Sequence, residues 1–413
     1  MAVPARADVL SPAEINAALG FAEQQADKTM AALPNTSTYP RCCGDSGAWS
    51  TVGIADWTSG FFPLELASLY RATGATQWLT AATAWTLPLA PEATLGQDAD
   101  IGMRMQGFGA LYSLTGNPAY ASVLVQAGAT LAARYNPLVG GIDQYDTPGT
   151  FTLLEDGMND MKPLEFGATH GGSAGWLGIA AQNALTVAAN LIRPNGSTYQ
   201  MALFDPTTGQ QTFLGTMNGY SNTSDWQRGL AWAINGYADL YDVTRNAQFL
   251  SIAEQLANHF IAVLPSDCVP YWDADDPSIP GAPRDTSAGA LGDLGLTKLA
   301  VLAGGTAGAG YEAAAQCGLS SLISNYLAPN SSEAVLTQGN APDGSDVALI
   351  YGDASFVEAL AAQQYMNQGL SIAWTMSDAY LPLGTEVPEP SAWTLLAAGV
   401  AALRGLRGRR NVV

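Results

Sequence analysis

Five short words each stop one apolar stretch and open the next, and their recurrence limits the chain to paired helices. Tyr70-Arg71-Ala72-Thr73-Gly74 leads into Gln77-Trp78-Leu79, and Tyr112-Ser113-Leu114-Thr115-Gly116-Asn117-Pro118 leads into Tyr120. Tyr241-Asp242-Val243-Thr244-Arg245-Asn246 leads into Phe249-Leu250, while Ala168-Thr169-His170-Gly171-Gly172 and Ala303-Gly304-Gly305-Thr306 hold comparable places. Gly supplies the left-handed residue that ends a helix, and an aromatic side chain anchors the helix that follows. The spacing, about 40 to 70 residues, suits successive helical hairpins. Alternating runs of β-branched residues are scarce, so strands have little support. With one further, less clear turn, the pattern predicts an all-α chain of six hairpins in a ring; a solenoid is the alternative, with repeats of more even length. The first helix opens at Ser11-Pro12-Ala13-Glu14, a cap, a Pro at the first position and a Glu three after the Ser.

Charge and scarce residue types narrow the chemistry. Hydrophobic residues make up 48% of 413 and charged ones 13%, enough for a large core. The formal net charge is −20, so a nucleic-acid partner, which needs a basic face, is excluded. An anionic ligand needs a local cation instead. The four cysteines, Cys42, Cys43, Cys268 and Cys317, lack metal-binding spacing, and the two histidines, His170 and His259, give little basis for a metal site or a Ser-His-Asp triad. His259, in AEQLANHFIAVL, reads as an ordinary helix residue.

Opposite the short turns, the connections are long and rich in polar and aromatic residues: Ile54–Pro63, Ala93–Gln106, Phe151–Glu165, Met217–Trp232 and Val269–Ala288. A cleft belongs on that side. Within Met217–Trp232, Trp226 and Trp232 flank Arg228. Two indoles can wall a sugar ring, and a guanidinium can grip a carboxylate with two parallel hydrogen bonds. Asp98 and Asp100 compete as the acid of the second loop.

Taken together, the loop words resemble the unsaturated glucuronyl hydrolases, glycoside hydrolase family 88, over roughly residues 40–365. The matching words are Gly44-Asp45-Ser46-Gly47 to Trp49, Asp56-Trp57-Thr58-Ser59-Gly60-Phe61-Phe62-Pro63, Asp100-Ile101-Gly102-Met103 and Asp156-Gly157-Met158. They continue with Asn218-Gly219-Tyr220, Trp226-Gln227-Arg228-Gly229 to Trp232, Tyr271-Trp272-Asp273 and Arg284-Asp285. The resemblance implies an α6/α6 barrel as the single catalytic domain over residues 11–377. It implies removal of a terminal unsaturated uronic acid from lyase-generated oligosaccharides by hydration of the C4–C5 double bond. By motif, Asp156 is the general acid/base and Asp100 the second carboxylate, while Trp57, Asn218, Trp226, Arg228 and Trp232 fall at substrate-contact positions. No metal or cofactor is needed by that chemistry. Phe151, Leu153, Leu154 and Met158 could desolvate Asp156, and a charged Asp100 nearby would raise its pKa further. Four positions depart from the usual family residues: Met217 and Gln200 stand where His is common, Asn218 where Gln is, and Gly157 where Asn is. The alternatives are an unsaturated rhamnogalacturonyl hydrolase of the same fold and a non-catalytic surface sugar-binding barrel.

Both ends read as export equipment. Residues 1–10 form a tail in which Ala5-Arg6-Ala7 has the form of a cleavage site, as if the start lay inside a longer leader. Residues 378–413 form a linker and a tail: Val387-Pro388-Glu389-Pro390-Ser391, an uncharged stretch 392–403, and Arg404, Arg407, Arg409 and Arg410. This ending resembles the PEP-CTERM sorting signal of Gram-negative bacteria. It implies an exosortase-type processing partner, transient membrane contact through the tail, and a periplasmic, cell-surface or extracellular-matrix destination.

Overall fold

Six helices that are buried nearly all round face six that are buried on one side only, and burial sorts the chain into two concentric rings. In the computed structural model, which describes residues 10–44, 46–340 and 346–369, the inner helices are Phe61–Thr73, Gln106–Thr115, Lys162–Thr169, Gln227–Thr244, Thr286–Ala303 and Ile350–Asn367. The outer ones are Pro12–Ala32, Thr76–Thr86, Pro118–Ala132, Gly175–Leu191, Ala247–Val263 and Gly305–Asn325. Ile350–Asn367 packs on both Thr286–Ala303 and Phe61–Thr73, which closes the inner ring as an α6/α6 barrel. The sorting-tail reading at 378–413 and most of the N-terminal tail lie outside the described residues.

The five stop words are the five inner-to-outer turns. Gly74, Gly116 and Gly171 take positive φ there, and Arg245 does the same at φ 54° without being glycine. Asn117 and Asn246 cap the following helices by accepting from the N–H of Ala119 and Gln248. Ser11 and Glu14 form the reciprocal capping box expected at the first helix. The sixth pair is not a hairpin. It consists of the first and last helices, Pro12–Ala32 and Ile350–Asn367, brought together by ring closure.

The long loops carry short strands that the sequence did not announce. Trp49–Val52, Tyr39–Cys43, Asp346–Leu349 and Gly339–Asn340 lie in that order in one antiparallel sheet. Phe151–Leu154, Met201–Phe204 and Gln211–Gly215 form another. A Cys268–Cys317 disulfide ties the start of the Val269–Ala288 loop to the last outer helix.

Two glycines weld the loops to one another. A Cβ on Gly60 would stand 2.1 Å from the carbonyl oxygen of Met103, and one on Gly102 would stand 2.4 Å from both Cα and O of Asp160. The segments bearing Trp57, Asp100 and Asp156 therefore touch backbone to backbone. Neither contact has a side chain that could yield. Gly102→Ala is expected to destabilise the fold at the upper end of about 1–3 kcal/mol, read by denaturant unfolding.

Candidate active site

The strand Phe151–Leu154, buried on both faces, delivers Asp156 to the first position of a 3-10 helix, Asp156–Met161. From the neighbouring loop, Asp100 occupies the N-cap place of the short helix Ile101–Arg104 without capping it through its side chain. Both carboxylates instead line a cavity of about 490 Å³ on the loop side of the barrel. Trp57, Asn218, Trp226, Arg228 and Trp232 line it as well, so all seven residues singled out from the sequence meet there. Asp98 is bound 2.6 Å from Nη2 of the fully buried Arg104 and does not line the cavity.

One wall is aromatic. Trp57 lies against Tyr351 with ring centres 5.0 Å apart, and Phe61 joins Trp57 to Trp232 at 5.9 and 5.7 Å. Asp56 fixes the start of the Trp57 turn by accepting from Thr58 N at 2.9 Å and pairs with Nη1 of Arg41, a half-exposed cation at the cavity edge.

Arg228 is buried between the Trp226 and Tyr351 rings, 4.8 and 5.3 Å from their centres. Its Nη1 donates to Asp285 Oδ2 at 2.5 Å and to the carbonyl of Asn340 at 2.7 Å. The structure commits Nη1 to the protein and leaves Nε and Nη2, the pair able to give two parallel hydrogen bonds, without an acceptor among the described residues. Asp285 also caps the helix Thr286–Ala303, accepting from the N–H groups of Ser287 and Ala288.

Burial pushes the Asp156 carboxyl up to about 6, against the pull of its own and the Gly157 backbone N–H groups and of the Arg228 charge. Its Oδ1 is buried without a hydrogen-bond partner among the described residues. The expected extra push from Asp100 is not among these causes; desolvation alone raises the group. Asp100 is itself held above the ordinary carboxylate range, first by burial and then by Asp98, with Asp156 a lesser contributor. The buried Asp160 is raised by burial and by Asp100.

The two departures at 200 and 217 act together. Gln200 Oε1 accepts from Thr216 Oγ1 at 2.7 Å, Met217 N at 2.7 Å and Asn218 N at 2.8 Å, so it shapes the turn that presents Asn218. Met217 projects outward, 46% exposed, at the rim. Asp273 steadies the far side of this loop, accepting from Tyr220 N at 2.8 Å and Ser224 Oγ at 2.6 Å. His259 proves more than a plain helix residue, since its Nε2 lies 2.9 Å from Asp225 Oδ2. His170 stacks on Phe166 in a short turn of the opposite end. Sequence reasoning missed Gln144, Tyr145, Asp160 and Tyr351, which also line the cavity. Only Asp160, one helical turn beyond Asp156, carried any signal.

No protein-family model matches the chain. An unsaturated glucuronyl hydrolase of Formosa agariphila is 32% identical over 323 residues, which cover 75% of this chain and 80% of that protein. One from Bacillus sp. strain GL1 is 27% identical over 274 residues, 63% of this chain and 72% of its own. Among solved structures, an unsaturated glucuronyl hydrolase specific for heparin superposes with a TM-score of 0.83 at 26% identity, covering 87% of this chain and 99% of its own. The Bacillus sp. GL1 structure gives 0.79 at 25% identity, covering 88% and 98%.

Proposed function

The chain belongs to the unsaturated glucuronyl hydrolase family of glycoside hydrolases, and from that premise we propose that it removes a terminal Δ4,5-unsaturated uronic acid from an oligosaccharide, with Asp156 as general acid/base. The observation that carries the reading is a carboxyl held up to about 6 inside a cavity walled by tryptophans. Protonating a vinyl-ether carbon requires an acid that keeps its proton near neutrality.

In the proposed sequence Asp156 gives its proton to C4, and the positive charge left on C5 is shared with the ring oxygen. The Asp156 carboxylate then takes a proton from water as the water oxygen bonds to C5. The resulting hemiketal opens by breaking the bond between C5 and the ring oxygen, and C1 expels the rest of the chain as an alcohol. The acid is regenerated, and the net change is consumption of water. Trp57, Trp226 and Trp232 flank the sugar, Asn218 offers an amide, and Nε and Nη2 of Arg228 are placed to meet the uronate carboxylate. Asp100, on the neighbouring loop, helps to orient the attacking water.

The test is the ultraviolet absorbance of the conjugated double bond in unsaturated disaccharides. Steady decay with the purified protein is the expected result, and binding without decay counts against hydration. An uncharged-sugar or rhamnose neighbour preferred over all others would favour the rhamnogalacturonyl sister activity.

The same proposal extends to export with removal of the 378–413 tail. The Cys268–Cys317 disulfide supports an oxidising destination, because such bonds persist outside reducing compartments. Intact-mass measurement on exported protein tests it, and a mature chain still ending at Val413 counts against processing.

A further inference from the structure

Between the two acid-bearing loops stands an amide that no motif marks. Gln144 is buried, and its backbone is stitched to both loops. Its N–H donates to the carbonyl of Thr152, on the strand leading to Asp156, at 2.9 Å; its own carbonyl accepts from Ala99 N, beside Asp100, at 3.0 Å. The side-chain Nε2 carries two hydrogens and faces two carboxyl oxygens, Asp100 Oδ1 at 2.8 Å and Asp160 Oδ2 at 3.0 Å. The other end of the amide lies against the residue after Asp156. A Cβ on Gly157 would stand 2.6 Å from Gln144 Oε1.

We infer that Gln144 is a positioning residue that aims the Asp100 carboxyl into the cavity, and that Gly157 is the second half of the same device, left bare so that the amide fits. The inference rests on Asp100 and Asp156 being the working pair. Asp100 and Asp160 are neighbouring, largely desolvated carboxyls, and like groups so placed repel once both ionise. A carboxylate can only accept hydrogen bonds, so the two cannot hold each other unless one keeps its proton. A primary amide supplies one N–H to each and fixes their separation. The Asp160 end is anchored further, because its Oδ1 accepts from Met103 N at 3.3 Å. What remains adjustable is Asp100, and the reach of the amide sets where it points. The Gly157 contact explains why the residue following Asp156 has no side chain. Any Cβ there meets the far end of Gln144, the one neighbour able to move, and moving it releases Asp100.

Two substitutions in the full-length enzyme test this, one removing the amide and one displacing it. Gln144→Ala is expected to lower kcat about 10- to 100-fold while KM moves less than about threefold, since the tryptophan walls and Arg228 are untouched. The pH profile of kcat shifts, because Asp100 loses the donor that favours its ionised form. Gly157→Ala keeps Gln144 but pushes its Oε1 away, and reproduces the kcat loss. In the Gln144→Ala background, Gly157→Ala then costs nothing more. Wild-type kcat and pH profile in Gln144→Ala, or losses that simply multiply in the double variant, overturn the inference. The same non-additivity is read without turnover as a Tm lowering by Gly157→Ala that vanishes in the Gln144→Ala background. Failure of the wild type to consume the double bond therefore counts against the hydration reading alone, and the 144–157 coupling is still decided.

Discussion

Asp156→Asn is expected to lower kcat toward the upper end of about 10²- to 10⁴-fold while substrate still binds with nearly the same KM. The amide has the shape of the carboxyl but no proton of suitable acidity for C4 and no basic oxygen for the attacking water. Both halves of the proposed reaction therefore stop. The wild-type pH profile carries the same signature. With the Asp156 carboxyl at about 6, the protonated fraction falls tenfold for each pH unit above that value, and kcat/KM is expected to fall with it. Stability gives an independent readout with a definite sign. The folded value lies above the ordinary 3.8, so the folded chain holds this proton more tightly than the unfolded one. The associated stabilisation is complete below about 3.8 and is lost as pH rises through about 6. Asn carries no charge to bury, so at pH 8 the variant's Tm should equal or exceed that of the wild type. Full turnover in Asp156→Asn, measured by double-bond absorbance, would refute the assignment. So would an unfolded variant paired with a fully active Asp156→Glu, since the carboxyl would then be serving the fold.

The parts of this molecule legible in the sequence are those fixed by neighbours along the chain. A helix stop is a local event, so Gly74 and Gly116 announce themselves, and even Arg245, which takes the left-handed conformation without glycine, stands in a recognisable word. The sixth helix pair has no such word, because Pro12–Ala32 and Ile350–Asn367 meet only when the ring closes. The strands were illegible for a different reason. Runs of two to five residues such as Gly141–Ile142 or Gln211–Gly215 are too short to show alternation, and Phe151–Leu154 is buried on both faces.

The site divides in the same way. Asp156, Asp100 and the tryptophans lie in compact words where glycine or an aromatic residue accompanies the acid, because those loops must pack backbone on backbone at Gly60 and Gly102. Gln144 and Tyr351 reach the cavity from elements whose local sequence looks like ordinary scaffold. Arg228 shows a residue found without its protein partner. Its position was readable, yet the carboxylate that claims its Nη1, Asp285, lies 57 residues away. Spacing cannot forecast a partner that only the closed ring supplies.

That pairing makes Arg228 the most consequential cation of the cavity. Arg228→Ala is expected to destabilise the fold by about 3–5 kcal/mol, the usual cost of stranding one member of a buried ion pair. Asp285 would keep its charge in a site with no exposure, retaining as donors among the described residues only the Ser287 hydroxyl and the N–H groups of Ser287 and Ala288. The Trp226 and Tyr351 rings would also lose the guanidinium packed between them. Arg228→Lys separates the structural from the chemical part. A lysine ammonium can still neutralise Asp285, so much of the Tm loss should be recovered. A point charge on a flexible stem cannot at once satisfy Asp285, the Asn340 carbonyl and a uronate carboxylate, which requires the planar fork. Activity should therefore stay low in Arg228→Lys, with the loss visible in KM as well as kcat. The charge also acts on Asp156, whose pKa it lowers. In Arg228→Met the alkaline limb of kcat/KM should accordingly move to higher pH, whereas in Arg228→Lys it should stay near its wild-type position. Equal Tm values for wild type and Arg228→Ala would show that Asp285 does not depend on this cation. Wild-type KM in Arg228→Lys would show that the substrate carboxylate is held elsewhere, with Arg41 at the cavity edge the next residue to substitute.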